Sequence, residues 1–141
     1  MAEVNSMYKN NVLSHFHPNG TTAVSIIYHE LGHAIEAVLN NRYQQLNGYT
    51  ADAVVLRAAK RFSAERNDGR QIRTINDAKT YAEFISRYAV TNHYGLHGSS
   101  ASFATYETLA EAVGDFVEQG QHAHRFSQLI WDELMKELRS S

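Results

Sequence analysis

Two histidines and a glutamate close to residue 30 could hold a metal ion and use it. Residues 25–36 have His-Glu-Leu-Gly-His at their centre, so His29 and His33 stand four positions apart. On a helix this spacing places both imidazoles on one face, about 6 Å apart along the axis at ~1.5 Å per residue. Glu30 lies one step round the helix, beside the point on which the rings converge. The arrangement is typical of a zinc site with two His ligands and a carboxylate that activates a bound water.

The hydrophobic pattern around this motif predicts the helix that the geometry requires. Pro18-Asn19-Gly20 is a turn signal, and Thr21 or Thr22 can cap a helix behind it. A helix is predicted over about 22–40. Gly32 within it costs ~1 kcal/mol relative to Ala, which a close approach of another element would explain. The apolar residues that follow the helical i, i+3, i+4, i+7 spacing are Val24, Ile27, Tyr28, Leu31, Ile35 and Val38.

A metal site of this kind needs a third ligand, and the composition restricts its type. The chain has no cysteine, so any metal must be held by His, Asp or Glu. Glu107 and Glu111 stand four apart on a later predicted helix. One of them can bind the metal while the other accepts the second ring N–H of a ligand histidine. The alternatives are that the pair is a solvated acidic face, or that the short His motif is accidental and meets no third ligand.

Four further helices are predicted from the same periodicity, over about 53–61, from 76 or 77 to 85, 103–119 and 122–138. We expect the first of these to pack on the motif helix, and Asn76 or Asp77 to cap the second. Residues 1–17 are weakly patterned; Val12, Leu13 and Phe16 could form a short strand or a docked arm. Residues 87–91 are β-prone. The fold predicted is therefore mainly α, with a small sheet at most.

A Gly/Ser/His-rich segment over residues 92–102 is the one long loop expected inside the domain. Loops of this length are often lids or binding loops. His93 and His97 lie four apart within it. Gly95 and Gly98 make a helix there unfavourable, so a second metal site is not the favoured interpretation.

Composition and charge limit the classes of partner. The 141 residues, 43% hydrophobic and 20% charged, predict one globular domain over residues 1–141. A formal net charge of -2 argues against nucleic acid as a partner. No apolar run approaches the ~20 residues of a membrane span, and the N-terminus lacks the regions of a signal peptide. We therefore expect no membrane partner, and a cytosolic protein or a piece of a larger one.

Two blocks of residues in a fixed order carry a resemblance to a known family. The first is His17-Pro18-x-Gly20 with Ile27-x-His29-Glu30-Leu31-Gly32-His33-Ala34. The second is Ser86-Arg87-Tyr88-Ala89-x-Thr91-Asn92 with Glu107-x-x-Ala110-Glu111-Ala112. They resemble the zincin metallopeptidases of the gluzincin type, in particular the catalytic domain of anthrax lethal factor and the zincin-like domains of phage minor head proteins. The blocks and the helices between them cover most of residues 15–118.

The resemblance implies a reduced zincin fold and a Zn²⁺ site between two helices. It assigns the metal ligands to His29, His33 and Glu107. It makes Glu111 the carboxylate that orients a ligand histidine. The helix of His29 and the helix of Glu107 are then expected to lie side by side in the core.

The resemblance also implies catalytic roles. Glu30 matches the general base, and Tyr88 matches the tyrosine whose hydroxyl stabilises the developing oxyanion. In the relatives only a few residues separate the tyrosine segment from the ligand Glu, whereas here the 92–102 loop intervenes. Tyr106 or His97 are therefore alternatives to Tyr88.

A zinc-dependent peptidase acting on peptide or protein substrates is the function that these roles imply. The alternative is a non-catalytic or self-processing module of a phage head protein, which would contact other virion proteins. A toxin effector domain is a further alternative. The phage likeness implies a location in the cytoplasm of a bacterial host or in the virion.

Overall fold

The computed structural model describes residues 2–13, 17–90 and 103–140 of the protein. Within these ranges it contains helices and no β-strand, which confirms the mainly α fold that the periodicity predicts. Short 3₁₀ helices lie at Ile75–Ala78, Tyr88–Val90 and Gly120–His122. The α-helices are α1 (Ala2–Leu13), α2 (Ser25–Arg42), α3 (Tyr49–Arg66), α4 (Lys79–Ile85), α5 (Thr105–Gln119) and α6 (Arg125–Ser140). No helix among the described residues is long and apolar enough to cross a membrane.

Helix α5 is the centre of the core. Every residue from Glu107 to Asp115 is buried, and α2, α3, α4 and α6 all pack against it. Its most extensive contact is with α2. Helix α3 packs mainly on α6 and α5 and has a smaller contact with α2, so its expected packing on the motif helix is a minor part of its surface. The two helices that carry the predicted ligands therefore lie side by side.

Two glycines allow α2 and α5 to approach closely. A Cβ atom on Gly32 would lie 2.9 Å from the Cα of Ala110, and one on Gly114 would lie 3.0 Å from the backbone oxygen of Ser25. A methyl group cannot be accommodated at such distances without moving a helix backbone. Close packing is thus the reason for the otherwise unfavourable Gly32 within α2.

Helix α2 buries its polar side and exposes its apolar side. Ser25, His29, Glu36 and Asn40 are buried against the rest of the molecule. An amphipathic helix ordinarily shows the opposite distribution. Four of the six residues in the stripe that predicts this helix are between 42% and 68% exposed: Val24, Ile27, Leu31 and Val38.

The segments without a helical pattern differ from the sequence expectation. Residues 2–13 form helix α1, so the predicted short strand is wrong for Val12 and Leu13, whereas Phe16 lies outside the described residues. Buried Tyr8 docks this helix by sharing hydrogen bonds with Thr21 and Ser25.

The β-prone segment also differs, because Tyr88–Val90 is a 3₁₀ helix. The Ala89 N–H donates to the hydroxyl of Ser86, and the Thr108 hydroxyl donates to the Ala89 carbonyl. These contacts with α5 and the preceding turn override the weak intrinsic preference of these residues for a β-strand.

The predicted helix caps are displaced by tertiary contacts. Thr21 bonds to Tyr8, and the backbone N–H of Thr22 donates to Glu118 of α5, so α2 begins only at Ser25. Thr74 caps the 3₁₀ turn that leads into α4, in a reciprocal capping box with Asp77.

Candidate metal centre

The contact between α2 and α5 brings three predicted ligand atoms together. His33 Nε2 lies 2.6 Å from Glu107 Oε1, and His29 Nε2 lies 3.8 Å from the same oxygen. The two imidazole Nε2 atoms are 3.1 Å apart. His29 and His33 stand one turn apart on α2, and Glu107 comes from the first turn of α5. The convergence that an accidental motif would lack is therefore present.

The spacing of these atoms suits a small cation. Around a tetrahedral zinc with bonds of about 2.0–2.1 Å, two ligand atoms lie roughly 3.3 Å apart. The three distances here, 2.6, 3.1 and 3.8 Å, scatter about that value. Glu30 adds a carboxylate oxygen within 4.8 Å of a ring nitrogen of both histidines.

The carboxylate of Glu111 fixes the orientation of His29 from behind. Glu111 Oε2 lies 2.8 Å from His29 Nδ1, and Glu111 Oε1 accepts a hydrogen bond of 2.8 Å from the Ser86 hydroxyl. An ionised carboxylate only accepts hydrogen bonds, so His29 donates its Nδ1–H to it. Nε2 is then directed to the point where the other two atoms converge, and a metal ion binding there would displace the proton that Nε2 otherwise carries.

The electrostatics of the site favour a positive charge at this point. Burial would lower the pKa of His29, but hydrogen bonds to Glu107 and Glu111 and their charges outweigh it and raise the pKa to about 9. Burial would likewise raise the pKa of Glu107. Hydrogen bonds from His29, His33 and Tyr88 outweigh that effect and hold its pKa well below the usual range. A divalent cation supplies the charge that this environment stabilises.

Tyr88 lies against the site on the His29 side, although residues 89–106 separate it from Glu107 in the sequence. Its ring centroid is 5.5 Å from that of His29, edge to face, and its side chain hydrogen-bonds to Glu107. Burial, the hydrogen bond to Glu107 and the nearby carboxylates raise the pKa of Tyr88. The phenol therefore stays protonated and can donate a hydrogen bond.

The alternatives to Tyr88 occupy other places. Tyr106 lies beside the second histidine of the motif, with its ring centroid 5.7 Å from that of His33. His93 and His97, with the rest of residues 92–102 in which a loop was predicted, lie outside the described residues.

An open cleft of about 210 Å³ gives access to the centre. Glu30 is exposed at its edge, and the structure gives its carboxylate no ion pair or hydrogen bond among the described residues. Its negative charge is one of those that raise the pKa of Tyr88, so the two side chains are neighbours. The cleft is lined by Tyr8, His17, Ser25, Ile26, His29, Glu30, Tyr88 and Glu111.

His17 joins this centre although the sequence analysis gives it no role. Its Nδ1 lies 3.1 Å from Glu111 Oε1, and its ring stacks between Tyr8 and Tyr88 with centroid distances of 4.5 and 5.7 Å. Ser86 is a second residue of the site that carries no predicted role. Both stand in the two blocks of the family resemblance, which is the signal that could have identified them.

Comparison of the chain with protein-family models, with curated proteins and with solved structures finds no match. The relation to the gluzincins therefore stays a resemblance carried by two blocks of residues. The function has to be argued from the geometry of the site.

Proposed function

We propose that this chain is a zinc-dependent peptidase whose metal ligands are His29, His33 and Glu107. The observation that carries the proposal is the convergence of their three ligand atoms within 3.8 Å, from two helices packed through glycine. Two imidazoles and one carboxylate are the ligand set of many catalytic zinc sites, which keep a further position open.

The residues fit zinc by donor chemistry as well as by spacing. The hydrogen bond to Glu111 holds His29 in the tautomer that presents Nε2, and Glu107 is ionised. A zinc ion bound here would polarise a substrate carbonyl and lower the pKa of a bound water to about 7.

Glu30 is the general base of the proposed reaction. Its carboxylate is exposed in the cleft and close to both histidine ligands. It can take a proton from the attacking water and deliver it to the amine that leaves when the peptide bond breaks. A base must be able to change its protonation during the reaction, and the absence of a fixed partner for Glu30 among the described residues suits that role.

Tyr88 is the proposed donor to the oxyanion. Its raised pKa keeps the hydroxyl protonated, and its position beside His29 and Glu107 places it at the edge of the metal centre. A preorganised donor at this position stabilises negative charge as it develops on the carbonyl oxygen.

The decisive experiment separates metal binding from hydrolysis. Zinc-loaded chain is incubated with a peptide library prepared from a whole proteome, and new termini are read by mass spectrometry, so that no cleavage specificity is assumed. Glu30→Gln should keep its zinc and lose cleavage by several orders of magnitude. Glu65→Gln is the matched control, because it changes an exposed carboxylate of α3 that pairs with Arg125, and this variant should cleave normally.

Two outcomes would contradict the proposed mechanism. Full cleavage by zinc-loaded Glu30→Gln would exclude Glu30 as the base. Zinc binding by the unaltered chain without any new termini would favour the structural module, in which the metal only links α2 to α5.

A further inference from the structure

The phenol ring of Tyr88 has to be held by its neighbours, because the element that carries it is short. Tyr88 begins a 3₁₀ helix of three residues, and its half-buried side chain lines the open cleft of about 210 Å³. Rotation about χ1 and χ2 would let the ring occupy other parts of that space. A hydrogen-bond donor must already be in place if it is to stabilise charge as the charge develops. The side chains that fix this ring therefore decide whether its hydroxyl is useful.

Two imidazoles among the described residues contact the ring of Tyr88, in different geometries. His29 lies edge to face with it, with ring centroids 5.5 Å apart and an interplanar angle of 77°. His17 stacks on it, with centroids 5.7 Å apart and an angle of 26°. Both are arrangements that aromatic pairs prefer, and a ring stacked on a face prevents the phenol from turning towards that side. Since His29 is already a proposed ligand, His17 is the contact of Tyr88 that still lacks a role.

The imidazole of His17 is itself held from two directions. Its Nδ1 lies 3.1 Å from Glu111 Oε1, and the buried ring of Tyr8 stacks on it with centroids 4.5 Å apart and an angle of 12°. The Tyr8 hydroxyl in turn shares a hydrogen bond of 2.8 Å with the Thr21 hydroxyl and another with the Ser25 hydroxyl. His17 is therefore a fixed support for Tyr88 and not a side chain that follows its movements.

One carboxylate oxygen sets the position of His17 relative to Tyr88. Glu111 Oε1, which contacts His17, also accepts a hydrogen bond of 2.8 Å from the Ser86 hydroxyl. That hydroxyl accepts one of 3.1 Å from the Ala89 N–H, so it holds the backbone on both sides of Tyr88. The support and the 3₁₀ helix that carries the phenol are thus bound to the same buried atom, and connected networks of this kind are rigid.

We propose that His17 is a positioning residue, whose imidazole holds the phenol of Tyr88 in place beside the candidate metal centre. The role rests on the proposed peptidase function, in which Tyr88 donates to the oxyanion. His17 acts through Tyr88 and needs no contact with the substrate. Helix α1 takes part as well, because its residue Tyr8 supports the imidazole.

A double-mutant cycle between positions 17 and 88 of the zinc-loaded chain tests the proposal through kcat. His17→Asn keeps a donor near the place of Nδ1 but removes the ring. It should lower kcat about 10-fold, with KM and zinc affinity unchanged, because a misplaced donor costs rate. In a Tyr88→Phe background the same change should lower kcat less than about twofold, since no hydroxyl is left to position. Equal losses in the two backgrounds would overturn the proposal.

Two further variants separate the ring from its surroundings. His17→Phe restores a stacked ring without the hydrogen bond to Glu111, so its kcat should exceed that of His17→Asn. His122→Asn, at an exposed position of the 3₁₀ helix Gly120–His122, is the matched control and should leave kcat unchanged in both backgrounds. A kcat of His17→Phe no higher than that of His17→Asn would show that the ring is not what positions Tyr88.

A second measurement observes the phenol itself and needs no substrate. A fluorinated tyrosine is placed at position 88 of the zinc-loaded chain, and its fluorine NMR spectrum is recorded. The resonance should be narrow and shifted by the neighbouring rings. His17→Asn should move it towards the value of the free amino acid, whereas His17→Phe should restore part of the shift. An unchanged resonance in His17→Asn would overturn the proposal. A chain that cleaves no peptide would reject the proposed function instead, and the fluorine shift would then decide the positioning of Tyr88 alone.

Discussion

At the scale of single residues, the Glu111 carboxylate connects three side chains around the candidate metal centre. Its two oxygens contact His29 Nδ1, His17 Nδ1 and the hydroxyl of Ser86, and the side chain is buried. Burial would raise the pKa of Glu111, but the hydrogen bonds from both histidines outweigh it and lower the pKa. The carboxylate is therefore an ionised acceptor that orients His29, a proposed ligand, together with His17 of the cleft.

Glu111→Gln should weaken zinc binding by about 10- to 100-fold, the usual effect of losing the partner of a ligand histidine. The amide keeps one acceptor oxygen but presents an N–H₂ group to the other donors. Isothermal titration of the metal-stripped chain with zinc measures the change. An affinity equal to that of the unaltered chain would show that Glu111 does not orient His29.

Tyr88→Phe should lower kcat by about 10²–10³-fold while zinc affinity stays unchanged, because it removes a donor that acts on the transition state. Tyr106→Phe is the matched control on the His33 side, and its kcat should change far less. Steady-state kinetics on a peptide found in the cleavage screen compares them. A larger loss for Tyr106→Phe would transfer the oxyanion role to that residue.

Residue types and spacing could predict the two candidate His ligands, because the i, i+4 rule needs only a helix, whereas the choice of Glu107 over Glu111 came from the family resemblance. Residue types and spacing could not predict that His17 lies in the site, since its contact with Glu111 joins residues 94 positions apart. No local pattern encodes such a contact; it depends on how the turn before α2 packs over α5.

At the scale of elements, α2 supplies the cap that α3 lacks. The N-cap residue Gly48 has no side chain to accept hydrogen bonds from the first turn of α3. Glu36 accepts from the Gly48 and Ala51 N–H groups at 3.0 and 2.9 Å, and Asn40 accepts from Thr50 at 2.9 Å. The polar side of α2 thus carries the proposed ligands at one end and the α3 cap at the other.

Glu36→Gln should destabilise the fold by about 1–3 kcal/mol, because one buried N–H loses its acceptor and faces an amide donor. Urea unfolding followed by circular dichroism measures the free energy of unfolding. Glu83→Gln, at an exposed position of α4, is the control and should change it by less than about 0.5 kcal/mol. Equal stabilities of the two variants would rule out the proposed cap.

Helical periodicity predicted that α2 exists but could not predict which side faces inward. The apolar stripe and the polar row lie on opposite sides of the same helix, and the ordinary rule places the stripe in the core. The polar row is buried instead because Glu36, Asn40 and His29 each find partners there. Burial of hydrogen-bonded groups depends on those partners, which lie on other elements.

At the scale of the whole molecule, a charge network joins the C-terminal helix to α3. Buried Glu133 accepts hydrogen bonds from Arg57 and Arg61 at 3.0 and 2.7 Å and lies 3.2 Å from Lys136 Nζ. Burial would raise the pKa of Glu133, but these hydrogen bonds and the nearby charge of Lys136 outweigh it and lower the pKa below 4.5. The folded state therefore favours the ionised form.

Ionised Glu133 should therefore contribute fully to the free energy of unfolding above about pH 5. As the pH falls, the unfolded chain binds a proton at this residue before the folded chain does, so the contribution is lost as the pH falls through the lowered pKa of the folded state. Glu133→Gln should reduce the slope of unfolding free energy against pH between 5 and 3. Glu65→Gln breaks an exposed pair with Arg125 and should leave the slope nearly unchanged. Parallel curves for Glu133→Gln and the unaltered chain would contradict this account.

The helical class of the molecule could be predicted from periodicity in α2 to α6, since each has apolar residues at helical spacing. Helix α1 and the 3₁₀ helix at Tyr88–Val90 could not be predicted in this way. Tertiary contacts hold them instead, through Tyr8 for α1 and through Ser86 and Thr108 for the 3₁₀ helix. The convergence of the candidate ligands was predictable to the extent that two helices carried suitably spaced side chains. The approach of the helices through Gly32 and Gly114 decides whether those side chains meet.

The central claim is that His29, His33 and Glu107 together hold a zinc ion, and metal stoichiometry tests it most directly. Native mass spectrometry and isothermal titration of the chelator-treated chain should show one zinc per chain. Glu107→Ala and His33→Ala should lose this binding, whereas Glu118→Ala, three turns further along α5, should retain it. Absence of zinc from the unaltered chain, or undiminished binding by Glu107→Ala, would contradict the account.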